Sequence, residues 1–130
     1  MPISFKLHTD NQEPLSAQLR RQVELAIAHG ELAPGEALTS VRQLAKELKI
    51  NPNTISKAFG LLVQSGSLVS HPGKGYFVAQ TEVRFSDAEI DRQIKNAAET
   101  FIVATRPLGV SRQRLLQALD ELLPEDNTRG

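Results

Sequence analysis

Asn53, Thr54, Ser56 and Lys57 open a helical pattern in this 130-residue chain, and no carboxylate stands among them. An asparagine amide can pair bidentately with adenine, threonine and serine hydroxyls reach base edges or phosphate, and the free N–H groups of a helix start suit a phosphate oxygen. The chemistry on offer is recognition of a DNA groove. The plainer reading is a solvated helix start, but such a start usually carries carboxylates that match the helix dipole. A second group follows at His71-Pro72-Gly73-Lys74-Gly75. Its glycines let the backbone come close to a neighbouring surface, and Lys74 puts a charge where a phosphate or a minor groove would lie. A loop of this kind standing alone would be an ordinary surface turn with a solvated lysine; its place directly after a groove-type helix favours the DNA reading.

Groups that could make or break bonds do not converge. His8, His29 and His71 fall in three unrelated segments and form no ligand pair for a metal. Gly73 and Gly75 lack the strand-to-helix setting of a phosphate loop, and Asp87, Glu89 and Asp91 cluster at a helix start where the dipole accounts for them. Cysteine is absent, which removes disulfides, thiolate metal sites and a thiol nucleophile, and fits a reducing compartment. Neither a catalytic residue, a metal site nor a cofactor is expected.

The elements that must position the polar groups lie between Thr39 and Gly66. Ser40 reads as an N-cap with Gln43 completing a capping box, and Val41, Leu44, Ala45 and Leu48 form the buried stripe. Asn51 then caps a second helix with Pro52 in its first turn, Ile50 and Ile55 forming a hydrophobic staple. Ile55, Phe59, Leu62 and Val63 give it one apolar face, and Gly66 ends it. Joined only by residues 49–51, the pair must cross steeply and project the start of the second helix outward, as in a helix-turn-helix. Residues 68–70 and 76–79 flank the 71–75 loop as a β-hairpin, which makes a winged helix.

Upstream, Ile3, Phe5 and Leu7 alternate with polar residues, which predicts a short strand. Pro14 opens a scaffold helix with the stripe Leu15, Leu19, Val23, Ala26 and Ile27, stopped by Gly30; its Arg20 and Arg21 read as solvated rather than DNA-binding. Downstream, Ser86 with Glu89 and Phe85 with Ile90 signal another helix start, and Ile90, Ile94, Ala97, Phe101 and Ala104 share a face. Pro107 and Gly109 break that helix. Ser111 caps a last one carrying Leu115, Leu116, Leu119, Leu122 and Leu123, stopped by Pro124, and the polar residues 125–130 are expected to be disordered. Two helices this apolar cannot cover each other, so a stripe should meet a partner, most simply a second copy. Packing back on the winged helix is the alternative. The expected dimer seam is Ile90, Ile94, Ala97, Phe101, Leu115, Leu119 and Leu122.

Formal net charge is zero, which at first argues against a nucleic-acid partner. Its distribution answers the objection: residues 37–80 carry Arg42, Lys46, Lys49, Lys57 and Lys74 against Glu47 alone, a local +4, while residues 81–130 carry seven basic and nine acidic groups. The start of the chain has no basic segment followed by an apolar run, and no run reaches membrane-spanning length. A soluble, cytoplasmic protein without a membrane partner is expected.

The succession Pro14-Leu15, Gly30, Pro34-Gly35-Glu36, Leu38 to Ala45, Asn51 to Ile55, Ala58 and Gly73 to Val78 resembles the DNA-binding domain of GntR-family transcription regulators. The resemblance covers about the first 80 residues. It implies that Arg42, the helix start from Asn51 to Ser56, and the wing tip around His71 and Gly73 contact double-stranded DNA. Thr39, Ser16, Lys49, Pro52 and Ser56 depart from residues common in the family, which bears on the operator sequence rather than on the fold. The short two-helix C-terminal part is similar to that of the YtrA subfamily, and implies dimerisation through it without a larger effector-binding domain. The combined expectation is a mainly α fold with a small β-wing: a winged helix-turn-helix DNA-binding domain over residues 1–80, a C-terminal α-helical hairpin for dimerisation over 81–124, and a tail. The DNA-binding set is Ser40, Arg42, Asn51, Asn53, Thr54, Ser56, Lys57, His71, Gly73 and Lys74, and the function a homodimeric repressor on an inverted-repeat operator. A winged helix used for protein interaction and a nonspecific architectural DNA binder are the rival readings. The sequence names no small-molecule effector.

Overall fold

The computed structural model describes residues 3–10, 12–80 and 85–123, which fall into two compact units, one ending at residue 80 and one beginning at 81. In the first unit the order is α1 (Leu15–Ala28), α2 (Val41–Leu48), α3 (Pro52–Gln64), β1 (Leu68–His71) and β2 (Gly75–Val78). The starts of α2 and α3 and the stop of α1 follow from local chemistry. Ser40 Oγ accepts the Gln43 N–H at 3.1 Å, and Asn51 Oδ1 accepts the Asn53 N–H at 2.8 Å. The Gln43 amide does not complete a capping box; it donates along the helix to Glu47 at 3.0 Å. Gly30 closes α1 at φ +80°, where Glu31 N–H reaches Ala26 O at 2.8 Å.

The apolar stripes of these helices meet in one core. Leu19 and Val23 of α1, Leu44 and Ala45 of α2, and Ile55, Ala58, Phe59 and Leu62 of α3 are buried together with Leu68 and Val78 of the hairpin. Phe59 is fully buried, and the Tyr76 ring packs edge-on against it at 5.1 Å, which ties β2 to α3. The hairpin is antiparallel with Leu68 opposite Val78 and His71 opposite Gly75, so only residues 72–74 remain as the loop, closed by Lys74 N–H to His71 O at 2.8 Å. The segment before α2 pairs with β2: Val78 N–H bonds Glu36 O at 2.9 Å and Leu38 N–H bonds Tyr76 O at 2.8 Å.

The expected N-terminal strand does not form. Residues 3–8 do alternate in burial, but two glutamines of α1 take the place of a partner strand. Gln22 accepts from Lys6 N–H at 2.9 Å and donates to Lys6 O at 2.7 Å; Gln18 accepts from His8 N–H at 2.8 Å and donates to His8 O at 2.9 Å and Glu13 O at 2.8 Å. A side-chain amide carries the same donor and acceptor as a peptide, and two of them one helical turn apart hold alternate residues of an extended chain. The period of two recorded half-burial, not sheet pairing.

Lys49, which ends α2, has φ 58° and ψ 45°, and is the one non-glycine residue with positive φ among those described. That conformation costs an L-residue about 1–2 kcal/mol. A cation at a helix C-terminus regains about 0.3–1 kcal/mol, which falls short of that.

The second unit comprises α4 (Asp87–Thr105), a 3-10 turn at Arg106–Leu108 and α5 (Arg112–Leu122). Ser86 and Ser111 cap the two α-helices by accepting the N–H groups of Glu89 and Arg114, both at 3.2 Å. The Glu89 carboxylate turns forward to Arg92 and Gln93, which hold it below the usual carboxylate range. Phe85 and Ile90, the expected staple, both stay exposed. Among the described residues of this unit none is buried, so its apolar side chains lack a core of their own. No helix among the described residues is long and apolar enough to cross a membrane. Residues 124–130, where a stop and a disordered tail were expected, lie outside those described.

Candidate nucleic-acid interface

Because Ile55, Ala58, Phe59 and Leu62 commit one side of α3 to the core, Asn53, Ser56, Lys57 and Gly60 form an exposed stripe on the other, at the spacing of one helix face. Thr54 lies half-buried at its edge. A Cβ at Gly60 would meet nothing within 4 Å, so the absent side chain serves no packing need within the fold. Arg42 and Ser40 are exposed at the start of α2.

One expectation about this helix start is corrected. Pro52 has no N–H, the Asn53 N–H is taken by the Asn51 side chain, and the Thr54 N–H bonds Asn51 O at 3.0 Å. The backbone donors that were to receive a phosphate are used within the cap, which also commits the Asn51 side-chain oxygen. Recognition at this turn therefore falls to side chains.

The charges are arranged for that. Arg20 pairs with Glu24 at 3.0 Å and Arg21 with Glu13 at 2.8 Å. Arg42, Lys46, Lys49, Lys57 and Lys74 form no ion pair among the described residues, and all five are exposed. The +4 excess of residues 37–80 is thus left facing solvent, where it attracts a polyanion. At the wing, the His71 ring rests edge-on against Phe77 at 5.1 Å, while Gly73 and Lys74 occupy the exposed tip. A Cβ at Gly73 would meet nothing within 4 Å, and the residue sits at φ +79°, so the glycine is required by the turn. Among the described residues no group of three or more His, Asp or Glu side chains is placed to hold a metal.

In the second unit, Ile94, Ala97, Phe101, Leu115 and Leu119 line an open groove of about 490 Å³ between α4 and α5. Two members of the expected seam, Ile90 and Leu122, do not line it. Ala98, Ile102, Leu116, Leu123 and Arg112 do. Ala98 and Ile102 follow Ile94 at intervals of four, so the groove wall includes this row as well as Ala97 and Phe101 of the expected stripe.

The family model for bacterial regulatory proteins of the gntR family matches residues 15–78, the span from α1 through β2. An HTH-type transcriptional regulator of Mycobacterium tuberculosis is 32% identical over 115 residues, covering 88% of this chain and 88% of that one. The chain belongs to the gntR family. The HTH-type transcriptional repressor YtrA of Bacillus subtilis is 28% identical over 109 residues, 84% of either chain, so this likeness extends beyond the winged helix. Among solved structures, the DNA-binding part of AraR in complex with its operator ORE1 is 29% identical and aligns with a TM-score of 0.50 over 60% of this chain and 95% of that one. As a gntR-family winged helix, the protein is a DNA-binding transcription regulator.

Proposed function

We propose that this gntR-family protein is a homodimeric repressor, in which α3 of each copy enters the major groove at one half of an inverted repeat. Residues 1–80 serve as the DNA-binding domain and residues 81–124 join the copies. The exposed polar stripe of α3, flanked by unpaired cations, carries the reading. Asn53, Thr54 and Ser56 face base edges, Arg42, Lys57 and Lys74 meet phosphates, and Ser40, Asn51, His71 and Gly73 complete the contact surface. The apolar groove of a unit with no buried residue among those described supports the dimer, because the same patch on two copies covers itself about a two-fold axis. A two-fold dimer calls for half-site centres on one face of the duplex, roughly one turn or ~10 bp apart. Occupying such a site next to a promoter, in the cytoplasm, blocks transcription, and the YtrA relative is itself named a repressor.

The test is competition between an inverted repeat, selected from a randomised duplex library, and bulk DNA. Native protein should prefer the repeat, and Asn53→Ala should lose about 1–3 kcal/mol on it and little on random DNA. Equal losses on both would remove Asn53 from the base readers. No preference for any repeat points to an architectural binder, and no salt-dependent binding at all to a protein-interaction module.

A further inference from the structure

We propose that Lys49 is a phosphate contact of this chain, reaching a DNA phosphate at the edge of the groove that α3 enters; the inference rests on the DNA-binding reading above. Lys49 holds a left-handed backbone that glycine would adopt freely, and the helix-dipole gain of its charge does not cover that cost. Backbone strain of this kind concentrates at functional positions, where the side chain serves something outside the local fold. Inside the protein the ammonium has no such service to perform: Lys49 is exposed and makes no ion pair among the described residues, and its neighbour Glu47 is engaged by Gln43 at 3.0 Å.

This place also calls for a cation. The first turn of α3 has used its backbone donors in its own cap, so a phosphate running past it finds no free N–H there. Lys49 stands two residues before Asn51, within ~7 Å along the chain, and a lysine side chain spans a similar distance. Arg42 lies at the far end of α2, and Lys57 a turn further into α3. Lys49 is therefore the basic residue nearest in sequence to the helix start. The turn that carries it is fixed, since Ile50 N–H closes on Ala45 O at 3.1 Å, so the side chain leaves from a set point.

The experiment compares native protein with Lys49→Gly, Lys49→Asn and Lys49→Arg, all in the full chain. Melting is followed alongside binding to the selected repeat and to a random duplex of equal length, from about 50 to 200 mM salt. Lys49→Gly should raise Tm by a few degrees as the strain is relieved. It should nonetheless weaken both duplexes by the same several-fold factor and reduce the slope of log K against log salt by about 0.9. Lys49→Asn should behave alike on DNA, and Lys49→Arg should keep the native slope. A Lys49→Gly protein that gains stability with affinity and slope unchanged overturns the proposal, as does one that loses stability, because the strain premise then fails. If the native protein binds neither duplex, the DNA-binding reading itself has failed; if it binds and only Arg42→Ala and Lys74→Ala flatten the slope, that reading stands and Lys49 has no part in it.

Discussion

Phe101→Glu tests the proposed joining of two copies most directly, and the structure gives the scale of its effect. Phe101 is half-buried in the wall of the α4–α5 groove, beside Ile94 at 62% exposure, Ile102 at 58%, Leu116 at 51%, Leu119 at 38% and Leu123 at 66%. Full burial of a leucine or isoleucine contributes about 1.5–3 kcal/mol, so each of these half-exposed side chains withholds about 1 kcal/mol until something covers it. Five of them on each of two copies supply on the order of 10 kcal/mol, the same size as the roughly 4–15 kcal/mol lost on association. A seam so balanced cannot absorb an unpaired carboxylate, whose burial costs several kcal/mol in each copy even after relaxation. A net loss of about 4 kcal/mol already raises the dimer dissociation constant about a thousandfold. Phe101 takes no part in the core of the first unit, so the winged helix should melt as before. Sedimentation should show a folded monomer with weak operator binding. A Phe101→Glu protein that stays dimeric, or that loses the winged-helix transition together with the dimer, refutes the seam.

Gln18→Leu should cost the fold about 1–3 kcal/mol in urea unfolding, because His8 N–H, His8 O and Glu13 O all lose the amide that satisfies them; an unchanged midpoint would mean that water replaces the strap without loss. Gly60→Ala should stabilise by about 1 kcal/mol in the same assay, since the new methyl group meets nothing within 4 Å. Purified, extensively dialysed protein should bind its operator with no metabolite added, because the groove that the described residues of the second unit offer is apolar; binding that appears only with a small molecule would give that groove to a ligand instead of a second copy.

The helices and the hairpin were legible in the sequence because their signals are local. Ser40, Asn51, Ser86 and Ser111 each hold the N–H that their position as caps demands, and the stripes of α1, α2 and α3 face a common core. The exposed face of α3 followed from its apolar one, since burying Ile55 and Phe59 leaves Asn53, Ser56 and Lys57 outside. Even the occupied donors of that helix start were written in the Asn51-Pro52 pair, one residue that captures an N–H and one that has none. Other features waited for the tertiary structure. The alternation of Ile3, Phe5 and Leu7 could not tell a partner strand from two glutamine amides, because both satisfy the same backbone groups. The left-handed turn at Lys49 left no mark in the lysine itself, because glycine and asparagine are the residues that advertise that conformation, and the one sign of it was that Lys49 departs from the residue common in the family. Nor could helical period show that Ala98 and Ile102 line the groove beside Ile94, Ala97 and Phe101 while Ile90 does not. Both flanks of this face of a 19-residue helix are apolar, and only the direction in which α5 returns decides how far around it the groove extends.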